Sequence, residues 1–374
     1  MSQRVALRTS LRHRIEALPF GLGPKLLPTI RKNRMFAFLC GKGLLGQLGR
    51  TQGFHAEIEK INHIFEAPMR SQIKRSVVVY DYAASPPTYG DFFLTVMFAR
   101  WLGLHAPVEF VIVSSERRAD WRDVLDDKAQ KALLDNQIHL ARAVLKSVSG
   151  TVTAISYSGL KSYLRRDAAN TFVPFEGWVR SRISVYSVAF NALNSLLATA
   201  SDDLLSRFLL SYDELKAESP PSHPIGPYIA WHCRHNMQWC SHANLTIDAF
   251  AHLHQMLKAG FPDHEILIVS DSKGCAHVKE IADRLGVDCL YSKDFTNSFL
   301  EDVVLVFGSD FYFQFLAGGM GAIPLYSRMK FEIHCPRSNE QLWAPNMATP
   351  WQTAEQHWVV TSEMPTQLVS GKKS

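Results

Sequence analysis

The chain has 374 residues, more than one ordinary core accommodates and about what two domains need. Hydrophobic residues make up 47% and charged residues 20%, which excludes collagen-like and disordered classes and leaves each of two lobes a core to bury. The net charge of +5 is uneven: residues 1–75 carry 14 Lys/Arg against 4 Asp/Glu, leaving 26 against 31 elsewhere, so the basic character belongs to an N-terminal extension.

That extension, residues 1–75, reads as a mostly helical lead-in interrupted by the turn signals Gly21-Leu22-Gly23-Pro24 and Pro28. Two readings stay open for it. It is either a solvated arm that packs on the lobes, or a basic, partly apolar segment in peripheral contact with an anionic membrane. No nucleic-acid-binding motif accompanies the charge, so nucleic acid is not an expected partner. The apolar stretch Met35 to Cys40 is far shorter than the ~20 residues of a spanning helix. Arg4, Arg8, Arg12 and Arg14 would interrupt the apolar core of a signal peptide. The expectation is a cytoplasmic protein, at the inner face of the membrane if the extension binds lipid. The six cysteines are scattered with no C-x-x-C pair, as for reduced thiols. A G-x-G-x-x-G occurs at Gly41 to Gly46, but its basic flanks and the lack of a following strand favour a plain loop over a dinucleotide site.

The first lobe is expected over 76–217. Val77 to Tyr82 is a short apolar, β-branched run that predicts a buried strand. A loop from Ala83 to Gly90, stiffened by Pro86-Pro87, leads to a helix over Asp91 to Leu102 that Gly103 ends. Val108 to Val113 is the next strand, which completes a βαβ unit within ~40 residues and implies a parallel sheet. Asp120 to Val148 reads as mostly helical, Val152 to Tyr157 as a strand, and Ser184 to Leu215 as helical.

Glu218 to Pro224, with three prolines in five residues, is the expected linker. The second lobe, over 225–345, repeats the alternation. Strands are predicted at Tyr228 to His232, Ile266 to Ser270, Cys289 to Tyr291 and Phe311 to Leu316. Helices are predicted at Thr246 to Ala259, Cys275 to Leu285 and Ser298 to Phe307, with a C-terminal tail over 346–374.

Ligands of open parallel sheets sit beyond the carboxyl ends of the strands, so the residues there are the candidates. Gly90 permits close backbone approach, and Asp91 either caps the free N–H groups of its helix or faces a cleft as a general base. Arg234, just past the first strand of the second lobe, can grip a diphosphate with its guanidinium fork, and His232 can add a second donor. A rival reading is a metal held by His232, Cys233, His235, Cys240 and His242, but their spacing matches none of the usual zinc patterns. Ser270 and Asp271 suit contacts to a base or ribose, although Asp271 also suits a helix N-cap. Ser309-Asp310 and the run Gly318, Gly319, Met320, Gly321 complete the set, the glycines exposing backbone N–H groups to a phosphate. No P-loop, G-x-S-x-G elbow or D-x-D triplet is present. Diphosphate charge would then fall to Arg234 and the Gly-rich loop, with no metal and no resident cofactor.

These residues resemble GT-B glycosyltransferases. His232-Cys233-Arg234 looks like the H-x-R segment of fucosyltransferase-type members, whose Arg contacts the donor pyrophosphate. Gly90-Asp91 looks like the G-D of heptosyltransferase-type members, whose Asp is the catalytic base. Ser298 to Gly321 occupies the place of the donor-holding helix, strand and loop. Two departures stand out: His235 replaces the usual second basic residue, and Gly-Gly-Met-Gly replaces a Ser/Thr-rich loop. The resemblance implies an α/β fold of two Rossmann-like lobes, the first for the acceptor and the second for the donor. It further implies inverting, metal-independent transfer of a sugar from a nucleotide-sugar to a hydroxyl of a glycan or lipid-linked acceptor, as in polysaccharide synthesis. The competing reading is a non-catalytic two-lobed binding protein for a phosphorylated or nucleotide ligand.

Overall fold

The computed structural model describes residues 75–82, 88–114, 127–165, 171–172, 193, 197, 200–220, 226–235, 244–315, 319–336, 353–361 and 364–369. The N-terminal extension with its G-x-G-x-x-G, the Pro221 to Pro224 part of the linker, Cys240, His242 and Gly318 lie outside the described residues. Both sheets belong to one compact unit, Phe65–Ser374.

The first sheet is built from β1 (Arg75–Asp81), β2 (Val108–Ser114), β3 (Gly150–Ser156) and the short β4 (Thr171–Phe172), in the order β3-β2-β1-β4. Every pairing in it is parallel. Between β1 and β2 runs α1 (Tyr89–Gly103), and α2 (Asp127–Leu145) and α3 (Tyr157–Arg165) flank β3. The expected β1–helix–β2 unit is present to within two residues. Every residue of α1 from Gly90 to Gly103 is buried. A helix apolar on all sides belongs in the interior. Burying each of its Phe, Leu, Val, Met and Trp side chains contributes roughly 1.5–3 kcal/mol.

Arg100 is a buried cation on α1, 1% exposed. Its Nη1 and Nη2 meet Glu214 Oε1 and Oε2 at 2.6 and 3.0 Å, and its Nε donates to the Phe208 carbonyl at 2.7 Å. Glu214 lies on α5 (Tyr212–Lys216), which follows α4 (Asp202–Phe208). One buried guanidinium therefore ties the helices preceding the linker to the first lobe.

The second sheet contains β5 (Tyr228–His232), β6 (Glu265–Val269), β7 (Leu290–Tyr291), β8 (Phe311–Phe315), β9 (Phe331–Pro336) and β10 (Gln356–Thr361). Its order is β10-β9-β8-β5-β6-β7, parallel throughout. The helices α6 (Ile247–Gly260), α7 (Ser272–Leu285) and α8 (Phe299–Phe307) connect its strands. Their starts follow from side-chain caps: Thr246 accepts from Ala249 N, Asp271 from Gly274 N and Ser298 from Glu301 N. The stop of α7 is Gly286, whose φ of +65° is left-handed and costs glycine little.

Two expectations need correction here. The residues read as a tail over 346–374 supply β10, an edge strand paired to β9. The strand β9 itself was not anticipated, because Glu332 and His334 interrupt its apolar pattern. Both are buried, and they pair with each other at 2.6 Å. Among the described residues, no helix is long and apolar enough to cross a membrane.

Candidate functional site

In each sheet the strand order reverses at one place. The second sheet grows from β5 in one direction through β6 and β7 and in the other through β8, β9 and β10. The carboxyl ends of β5 and β8 therefore flank a topological switch point, the usual ligand crevice of an open α/β sheet. In the first sheet the corresponding strand is β1, between β2 and β4. The residues after β1, β5 and β8 define the candidate site.

After β5 come His232, Cys233 and Arg234. Burial, reinforced by the Arg234 guanidinium, holds the His232 imidazole down at about 4, so it is neutral at physiological pH. His232 thus enters as a neutral hydrogen-bonding group, not as a second cation beside Arg234. Arg234 is partly buried, with one Nη 3.5 Å from Asn244 Oδ1. His235 lies against His277 on α7, ring centroids 4.1 Å apart. Cys233 points into the core, where burial raises its thiol well above the ordinary value. Among the described residues no group of three or more His, Cys, Asp or Glu side chains is arranged to hold a metal ion.

After β8 the chain reaches a 3₁₀ turn, Gly319–Ala322. A side chain at either described glycine of the expected loop would meet a close neighbour. A Cβ on Gly319 would stand 2.9 Å from Gly90 N and 3.4 Å from Gly90 Cα. A Cβ on Gly321 would stand 2.7 Å from Gln314 Oε1. The loop of the second lobe is thus seated directly on the first turn of α1. Tyr89 stacks on Phe299 beside it, ring centroids 3.5 Å apart and 12° from parallel, and Asn136 Oδ1 accepts from Phe299 N at 3.3 Å.

Asp91 occupies the third position of α1, and Thr88 holds the N-cap position without a side-chain capping bond. Asp91 is 8% exposed, and its carboxyl accepts from Thr88 Oγ1 at 3.0 Å. A carboxylate in the first turn also complements the helix dipole.

The remaining expectations divide. Ser270 and Asp271 lie at the carboxyl end of β6, but local structure engages them. Ser270 Oγ donates to the Cys233 carbonyl at 2.6 Å, and Asp271 Oδ1 accepts from Gly274 N at 2.7 Å as the cap of α7. Ser309 and Asp310 are at the wrong end of the sheet. They form the turn from α8 into β8, so they sit at its amino end, where Asp310 N donates to the Tyr228 carbonyl at the start of β5. Ser309 Oγ bonds the Val306 carbonyl, and Asp310 pairs with His264 at 3.1 Å. Asp310 lines a cavity of about 760 Å³ there, together with Phe261, His264, Lys330, Glu355 and Leu368.

Sequence reading missed Gln314. It is 2% exposed on β8, in register with His232 on β5. Tyr312 Oη donates to its Oε1 at 2.6 Å. The signal was present: one amide inside the otherwise aromatic strand Phe-Tyr-Phe-Gln-Phe. Gly90, Gly319, Gly321, Gln314, His232 and Arg234 therefore form a contiguous path from the start of α1 to the end of β5.

No known family's sequence model matches the chain. No curated protein matches it by sequence. Among solved structures it is similar to the glycosyl transferase family 9 from Veillonella parvula DSM 2008, with 11% identity, a TM-score of 0.44, and 74% of this chain and 84% of that one covered. It is also similar to UDP-GlcNAc 2-epimerase from Neisseria meningitidis bound to UDP-GlcNAc, with 12% identity, a TM-score of 0.25, and 64% and 77% covered. Both TM-scores lie below 0.5, so neither likeness adds to what the sheets themselves establish.

Proposed function

We propose that the protein transfers a sugar from a nucleotide-sugar donor to an acceptor hydroxyl. The supporting observation is the contact between the first turn of α1, which carries Asp91, and the Gly319–Gly321 loop beyond β8, at the switch point that also carries His232 and Arg234. In this reading Asp91 takes the proton of the acceptor hydroxyl. Arg234 neutralises the diphosphate of the departing nucleotide, with His232 and loop N–H groups as neutral donors. Stabilising that developing charge is the largest contribution the site can make. A base acting on the face opposite a held leaving group gives inversion, and Arg234 takes the place that a bridging metal fills in D-x-D enzymes. The acceptor is a glycan or lipid-linked saccharide, brought to a cytoplasmic or peripheral enzyme.

The donor half of this proposal is tested by thermal-shift screening against common nucleotide-sugars, since a ligand bound only by the folded state raises the midpoint. The expected outcome is one stabilising donor, with Arg234→Ala losing that shift while keeping the unliganded midpoint. A variant that keeps the full ligand shift removes Arg234 from the donor site.

A further inference from the structure

We infer that Gln314 is a positioning residue: one buried amide that sets both the His232 ring and the Gly319–Gly321 loop against the donor diphosphate. The inference rests on the donor-site reading above. Its grounds are geometric. Gln314 is 2% exposed, and an amide with so little solvent must find its partners inside the protein. Tyr312 Oη supplies one bond at 2.6 Å, and His232 stands directly across the β5–β8 ladder, in register with Gln314. Its Oε1 and Nε2 then lie only 2.7 and 3.0 Å from where a Gly321 Cβ would stand, so the loop backbone rests on the amide face. The donor loop can approach because residue 321 has no side chain, and the amide fixes how close it comes.

Residue type matters for the same reason. Glutamate has the same shape, but its carboxylate beside His232 would favour the imidazolium, replacing a neutral hydrogen-bonding group by a charge. Methionine has similar volume and no amide, so it would leave the Tyr312 hydroxyl without that partner and place an apolar group across the ladder from His232. Both changes leave Arg234 and Asp91 untouched.

The test uses the full chain, ¹⁵N-labelled, with His232 ring signals assigned by comparison with His232→Gln and the Gly321 amide by standard methods. GDP and UDP serve as probes. In Gln314→Met the His232 ring and Gly321 amide resonances should both move, and affinity for the probe that binds the wild type should fall about tenfold. In Gln314→Glu the His232 titration should rise toward neutral pH, which a purely structural role would not produce. If Gln314→Met does not fold, the Gln314→Glu titration carries the test. Unchanged His232 and Gly321 signals in a folded variant overturn the positioning role, whatever happens to nucleotide affinity. Moved signals in a protein whose wild type binds neither probe uphold the positioning and sink the donor-site reading instead.

Discussion

The contact between Gly90 and Gly319 is where the two lobes bring the proposed base and the proposed donor loop together, and Gly319→Ala probes it with one methyl group. The added Cβ would lie 2.9 Å from Gly90 N, 3.4 Å from Gly90 Cα and 3.8 Å from Tyr89 C. All three are backbone atoms, so no side chain can rotate away and the contact itself must open by a few tenths of an ångström. Overpacking of this kind costs about 1–3 kcal/mol. For a unit of this size each kcal/mol lowers the midpoint by about 2–4 °C, so a fall of roughly 2–12 °C is expected. Gly286→Ala is the control: its φ is +65° with nothing within 4 Å, so the substitution strains the backbone but leaves the site alone. Both variants should therefore melt earlier. Only Gly319→Ala should lose turnover, by up to about a hundredfold, the cost of misplacing reacting groups by about 1 Å. The assays are scanning fluorimetry and nucleoside diphosphate release from the stabilising donor. Wild-type melting and turnover in Gly319→Ala would refute the contact.

Other expectations follow from buried charge. Arg100→Met should cost about 3–5 kcal/mol in urea unfolding, because Glu214 and several carbonyls lose a partner that is 1% exposed. A loss under about 1 kcal/mol would show that Arg100 does not tie α4 and α5 to the first lobe. His232 also makes stability depend on pH. Its folded value of about 4 lies below the unfolded ~6.5, so the unfolded chain binds more protons between them and stability falls as pH drops through that window. Between pH 7 and 5 the wild type should lose about 2 kcal/mol more than His232→Gln. Parallel curves for the two proteins would mean that the ring is not held neutral by burial.

Much of the fold was legible because period and caps agreed. The runs Val77 to Tyr82 and Tyr228 to His232 are short and mostly β-branched or aromatic, and Thr246, Asp271 and Ser298 mark helix starts that cap as written. Strand β9 was illegible because two of its buried residues, Glu332 and His334, are polar and break the apolar run that marks a buried strand. Glu332 and His334 Nε2 pair with each other inside, and Glu332 also accepts from Val369 N at 2.8 Å. Ser309 and Asp310 were misplaced because a Gly-Ser-Asp turn looks the same at either end of a strand. The deciding fact is order along the chain, since a turn that follows a helix and precedes a parallel strand lies at its amino end. Gln314 was overlooked for the opposite reason: its burial makes it significant, and burial is not written in the residue.

The most direct measurement is nucleoside diphosphate release from the stabilising nucleotide-sugar, with and without acceptor, by the wild type and by Asp91→Asn. Sugar transfer with Asp91 as the base predicts turnover in the wild type, and in Asp91→Asn undiminished donor binding with turnover lowered by at least a hundredfold. Full turnover in Asp91→Asn would reduce that carboxylate to a first-turn partner of Thr88. A wild type that binds the donor and releases nothing would mark a two-lobed binding protein instead.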